Sequence, residues 1–165
     1  QYYRNVVSTH SYAERLQTIE HVGKAGISVC CGGILGMGES AEDRIDLLFA
    51  LANLPQPPES IPINAIVPVE GTPMGALQPP SALELVRAIA VARLTVPTAM
   101  VRLSAGRDRL TETDHALCFL AGANSIFTGD KLLTTPHPGR EADAALLDQL
   151  NLKPRAPYAE PTPFR

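Results

Sequence analysis

The sequence predicts an α/β fold in which parallel strands alternate with helices, and three observations lead there. Four Ser/Thr-x-x-Glu/Asp signatures open helix-spaced apolar stretches. Short apolar runs of strand length lie between them. The alternation repeats about four times in 165 residues, the signature of βα units on a parallel sheet.

The helix starts are Ser11-x-x-Glu14, Ser40-x-x-Asp43, Ser81-x-x-Glu84 and Thr111-x-x-Asp114. A Ser or Thr followed three residues later by Glu forms a capping box, and the Asp versions have a shorter reach. Behind the first three signatures come Leu16, Ile19 and Val22, then Ile45, Leu48 and Ala52, then Leu83, Val86 and Ile89. These spacings put one apolar stripe on each helix.

The strand candidates are Ile27–Cys31, Ile61–Val67, Ala99–Leu103 and Ser125–Phe127, each bounded by Gly or Pro. Their apolar character is nearly continuous, as in strands covered on both faces. Four units fit half of a (βα)8 barrel or a small open sheet, and the pattern alone does not choose between them. Pro55-Gln-Pro-Pro58 and Pro79-Pro80 read as rigid connections. Residues 1–153 read as one patterned unit and 154–165 as a proline-rich loose tail.

Composition narrows the function. A formal net charge of -3 offers no basic footprint for nucleic acid. No apolar run approaches the ~20 residues of a membrane span, and the first residues do not resemble a signal peptide. The absence of an initiator Met suggests a fragment or a processed chain. Cys30, Cys31 and Cys118 do not form a disulfide framework, so a reducing cytoplasm is the expected location. The four histidines show no metal-binding spacing, and no Ser-His-Asp triad stands out.

The candidate chemistry lies at strand ends, where α/β barrels gather their functional groups. Gly32-Gly-Ile34-Leu-Gly36-Met-Gly-Glu39 brings backbone close to whatever lies beside it, although it also reads as a tight strand-to-helix turn. Its spacing fits neither a dinucleotide fingerprint nor a phosphate loop. Cys30 and Cys31 face opposite ways if both lie in a strand. Cys118, inside a helix, reads as a small buried hydrophobe. Arg102 interrupts an apolar strand, where it needs an ion-pair partner or an anion. Asn64 offers a donor and an acceptor to a ligand or to neighbouring backbone. Thr134 and Thr135 could cap a helix or hold a carboxylate.

Four segments in this order, YAERLQTIEHVGKAGISVCCGGILGMGE, LANLPQPPESIPINAIVPVEGTP, VRLSAGR and FLAGANSIFTGDKLLTTPHP, resemble the biotin synthase family of radical S-adenosylmethionine (SAM) enzymes. The resemblance runs from Tyr2 to about Pro154 and implies the C-terminal half of a (βα)8 barrel. It implies an enzyme that inserts sulfur into dethiobiotin to make biotin. In that family a 4Fe–4S cluster cleaves SAM to a 5′-deoxyadenosyl radical, and a 2Fe–2S cluster held by three cysteines and an arginine is the sulfur source.

Carried over residue by residue, the resemblance makes Cys30 and Arg102 ligands of the 2Fe–2S cluster, with Ser60 and Ser125 nearby. An arginine ligand has to offer a neutral or strongly perturbed nitrogen, because guanidinium has no free lone pair. Gly33, Ile34, Gly36 and Glu39 match the GxIxGxxE element that shapes the adenosyl pocket. Arg15 is implied to meet the SAM carboxylate, Asn64 dethiobiotin or the SAM ribose, and Thr134 and Thr135 the dethiobiotin carboxylate. Cys31 and Asp130 receive no role. Dethiobiotin, a flavodoxin or ferredoxin donor and a second copy of the enzyme are the implied partners.

The CxxxCxxC motif of the 4Fe–4S cluster and two of the 2Fe–2S thiolates are absent from these residues and would precede Gln1. The chain alone is therefore expected to be inactive. Two other readings stand beside this one. One is a different radical SAM enzyme, such as a methylornithine synthase or hydrogenase-maturation protein, against which the Cys30 and Arg102 pairing speaks. The other is a noncatalytic α/β module that dimerises through open sheet edges.

Overall fold

A computed structural model of the chain describes residues 2–129, 131–132 and 135–155. A short helix, α1 (Tyr3–Val6), precedes α2 (Tyr12–Lys24), β1 (Gly33–Leu35), α3 (Ala41–Ala52), β2 (Ser60–Ala65), α4 (Ala82–Thr95) and β3 (Met100–Leu103). A 3-10 turn at Arg107–Arg109 leads to α5 (Glu112–Leu120), β4 (Ser125–Ile126), the β5–β6 hairpin (Lys131–Leu132, Thr135–Pro136) and α6 (Arg140–Gln149). The first four strands form one parallel sheet in the order β1-β2-β3-β4. This is the expected α/β class, parallel βα units making half of a barrel. No helix among the described residues is long and apolar enough to cross a membrane.

All four capping boxes form, the two Asp versions included. Ser11, Ser40, Ser81 and Thr111 each accept the N3 amide while the N3 carboxylate reaches back to the cap amide. The shorter Asp still reaches, with Asp43 Oδ2 2.9 Å from Ser40 N and Asp114 Oδ2 3.0 Å from Thr111 N. Both proline stretches act as connections that lead into β2 and α4.

Helices α3, α4 and α5 cover one face of the sheet. Ile61, Ile63, Ala65, Val101 and Leu103 from the strands pack with Leu48, Leu85, Ile89, Ala92 and Cys118 from the helices. Ile61, Ile89 and Val101 are fully buried, each contributing roughly 1.5–3 kcal/mol of hydrophobic stabilisation. A second cluster of Val29, Cys31, Leu51 and Leu54 gathers Leu16, Ile19 and Val22 of α2. The alternate strand residues Ile34, Pro62, Asn64, Met100 and Arg102 point to the other face and are half-buried or exposed.

The first strand lies later than the expected Ile27–Cys31. Within that run only Cys30 bridges β2, at Ser60, and the ladder proper starts at Gly33. The cause is Pro62. Ser60 N donates to Val29 O and Cys31 N to Ser60 O, so the next rung needs a donor at residue 62. Proline has none. At this gap the two backbones come so close that a Cβ on Gly32 would lie 2.0 Å from the Pro62 carbonyl oxygen. The other three strands differ from expectation only at their ends. Residues 156–165 of the expected tail lie outside the described residues.

Candidate functional site

Residues in register on a parallel sheet share a face, and the register brings most of the candidate residues together. Cys30 pairs with Ser60 and Ser60 with Met100. Two residues further along, Pro62 pairs with Arg102 and Arg102 with Ser125. Ile34 pairs with Asn64 on the same face. From sheet spacings, the backbones of Cys30 and Arg102 stand about 12 Å apart, close enough for their side chains to converge on one small group.

The polar groups of this face are incompletely used. The Arg102 Nε–H donates to Ser125 Oγ at 3.1 Å, and its terminal nitrogens have no partner among the described residues. The ion pair expected as one alternative does not form there. Ser60 Oγ is buried without a hydrogen-bond partner among the described residues, a costly state unless something else occupies the face. Cys30 is exposed, whereas Cys31 is buried on the helix side, as strand alternation requires.

Asn64 is a backbone clip. Its Nδ2–H donates to Gly33 O at 3.1 Å and its Oδ1 accepts from Ala105 N at 3.1 Å. The amide thus ties β1 to the turn after β3 and retains one N–H and one lone pair for a ligand. Gly106 closes that turn with φ +80, and a Cβ there would lie 2.7 Å from the Ala65 Cβ.

The loop after β1 is held from inside. Glu39 accepts Gly36 N and Met37 N, both at 2.8 Å. The Arg44 guanidinium donates to Glu39 at 2.6 Å and to Glu84 at 2.9 Å. Gly36 has φ +92, and a Cβ on it would lie 2.7 Å from Pro80.

Other candidates lie elsewhere. Arg15 points from α2 toward Cys31, its Nη2 4.0 Å from the sulfur, on the helix side of β1 and away from the open face. Thr135 belongs to the β5–β6 hairpin, while Thr134 and Asp130 lie outside the described residues. Cys118 is fully buried, and burial raises its thiol to about 11, so it is not a nucleophile at neutral pH. Among the described residues no three His, Cys, Asp or Glu side chains are grouped to hold a metal ion.

Comparison with known proteins fixes the family. The Biotin and Thiamin Synthesis associated domain profile matches residues 62–153, more than half of the chain. The chain belongs to the Biotin and Thiamin Synthesis associated domain family. It is 63% identical over 153 residues to the biotin synthase of Synechococcus sp. (strain JA-3-3Ab), covering 93% of this chain and 49% of that protein. It is 59% identical over 153 residues to that of Granulibacter bethesdensis, with the same coverage. It is 55% identical over 157 residues to the mitochondrial biotin synthase of Arabidopsis thaliana, covering 95% of this chain and 42% of that one. The chain spans about half the length of the curated relatives it matches. The crystal structure of a methylornithine synthase superposes with a TM-score of 0.73 at 23% identity, over 93% of this chain and 48% of that one. That likeness is one of fold.

Two charged networks of the chain escape a reading of the sequence. Arg44 and Glu84 lie 40 residues apart and meet only through the packing of α3 on α4. The other network centres on Arg107, in the VRLSAGR segment, which is 1% exposed and donates to Asp143 Oδ1 at 2.5 Å and to Phe127 O at 3.0 Å. For Arg44 the available signal was a cation in the first turn of α3, where the helix dipole disfavours it.

Proposed function

We propose that this chain is part of a biotin synthase, in which sulfur replaces hydrogen at two carbons of dethiobiotin. The observation that carries the reading is the shared open face of Cys30, Ser60, Arg102 and Ser125, with an unpartnered buried hydroxyl among them. Similarity to biotin synthases at 55–63% identity supports it. It also favours this enzyme over a methylornithine synthase, to which the likeness is 23%.

The implied groups are SAM, a 4Fe–4S cluster with ligands outside this chain, and a 2Fe–2S cluster. When bound, they supply the reductive cleavage of SAM and the sulfur atom. The donors present fit part of the 2Fe–2S site: one exposed thiol at Cys30 and two uncommitted guanidine nitrogens at Arg102. Iron–sulfur clusters ordinarily need four ligands, so the 165 residues alone do not assemble one and are inactive. Ser125 orients Arg102 through its Nε–H, and Ser60 lies beside Cys30. Gly33, Ile34, Gly36 and Glu39 shape the adenosyl side, and the free functions of Asn64 face a substrate or ribose. Thr134 and Thr135 hold the dethiobiotin carboxylate. A flavodoxin or ferredoxin donor, a homodimer and a cytoplasmic location complete the reading.

The test is anaerobic reconstitution of the natural full-length protein, read as iron per protomer and optical spectrum. Two clusters are expected, the second altered in both Cys30→Ala and Arg102→Ala. A single cluster, indifferent to both substitutions, would sink the reading.

A further inference from the structure

We propose that Arg44 is a positioning residue for SAM, acting through Glu39 on the Gly36–Met37 turn; this rests on the adenosyl reading of that turn given above. A chain of contacts carries the inference. Glu84 spends Oε2 on its own helix cap, accepting Ser81 N at 2.8 Å and the Ser81 hydroxyl at 2.9 Å. Its Oε1 takes Arg44 at 2.9 Å. Arg44 passes the connection to Glu39 Oε1 at 2.6 Å, and Glu39 holds the amides of Gly36 and Met37. The N-terminus of α4 is thereby wired to the loop that follows β1.

The Arg44–Glu39 pair is mostly shielded, with side-chain exposure of 16% and 7%, while Glu84 is 38% exposed. Two carboxylates around one guanidinium compensate its poor place near the start of α3. The planar fork of arginine serves both partners at once, which an ammonium on a flexible stem does less well.

The arrangement also limits the ligand chemistry of the loop. Glu39 has already taken the Gly36 and Met37 amides, and Tyr2 donates its hydroxyl to the Met37 carbonyl. Those amides are not free to cradle an anion. The loop offers bare glycine backbone next to Ile34, which is 47% exposed. That surface suits the flat face of a purine. Its usefulness depends on the loop being held in one shape before the ligand arrives.

The experiment uses the natural full-length protein, with Arg44→Ala, Arg44→Lys and Glu84→Gln variants. Amide hydrogen exchange without SAM reads loop order, and anaerobic calorimetry with SAM reads affinity. Arg44→Ala is expected to speed exchange at Gly36 and Met37 about tenfold, leave α5 unchanged, and weaken SAM binding about tenfold. Arg44→Lys should restore part of both, and Glu84→Gln should move both in the same direction by less. Unchanged loop exchange in Arg44→Ala would overturn the inference and leave the adenosyl reading intact. Faster exchange with undiminished SAM affinity would overturn it as well, since loop order would then not govern binding. Failure of the wild-type protein to bind SAM would remove the adenosyl reading, and this inference with it.

Discussion

Asn64 shows how one residue can serve the framework and the site together. Its amide joins Gly33 to Ala105, so Asn64→Ala should cost about 1–2 kcal/mol in urea melts even without ligand. A loss of ligand binding by that variant has to be judged against a stability-matched control. An unchanged melt would show that the two contacts carry no net stability. Gly32 tests sterics alone. A Cβ there would meet the Pro62 backbone at 2.0 Å, and backbone cannot step aside as a flexible side chain can. Gly32→Ala should lose about 3 kcal/mol or more, and a soluble variant with wild-type stability would refute the close approach. At this scale Cys118 was readable from the sequence, because a cysteine on an apolar helix stripe has few other places to go. The sequence marked Arg102 and Asn64 as out of place but could not name their partners, which come from neighbouring strands.

The helices are the most transparent elements. Helices α2, α3, α4 and α5 each start at a local chemical signal, and the four boxes form where Ser11, Ser40, Ser81 and Thr111 announce them. Thr111→Ala should cost about 1 kcal/mol by removing the acceptor for Asp114 N; equal melting temperatures would argue otherwise. The boxes also make stability sensitive to acid. The Ser81 backbone amide, the Arg44 guanidinium and the Ser81 hydroxyl lower Glu84 from its ordinary 4.5 to about 2. Glu14, Asp43 and Asp114 are lowered as well, through their own cap bonds. A carboxylate depressed on folding adds stability above its unfolded value and loses it as pH falls toward the folded one. Melting temperature should therefore drop between pH 4.5 and about 2, and less steeply in Glu84→Gln. Parallel slopes for the two proteins would exclude Glu84 as a contributor. The first strand was misplaced because its boundary depends on a donor missing 30 residues away, at Pro62. Helix α6 was not anticipated, since it starts at Gly139 with no side-chain cap.

Over the whole molecule, one face of the sheet is sealed by helices and the other carries Ile34, Asn64, Arg102 and Ser125. Strands β1 and β4 are its edges. The alternation of elements was visible in the sequence, but the choice between half of a barrel and an open sheet was not, because both bury the same residues against the helices. Open edges and a bare face invite pairing. The 165 residues expressed alone should associate with rising concentration in light scattering, and a strictly monomeric solution would show the edges to be adequately blunted by their short length.

Arg107 has a bearing on where such a chain can be shortened. Its guanidinium lies in the interior at the end of the sheet, and its counter-charge, Asp143, arrives from α6, 36 positions further along the chain. The last helix is thus a counter-ion delivered on a tether. Cutting the chain before Arg140 removes more than a surface helix: it takes the carboxylate away from a buried guanidinium, at a cost of about 3–5 kcal/mol. The damage would surface beside β3, far in sequence from the cut.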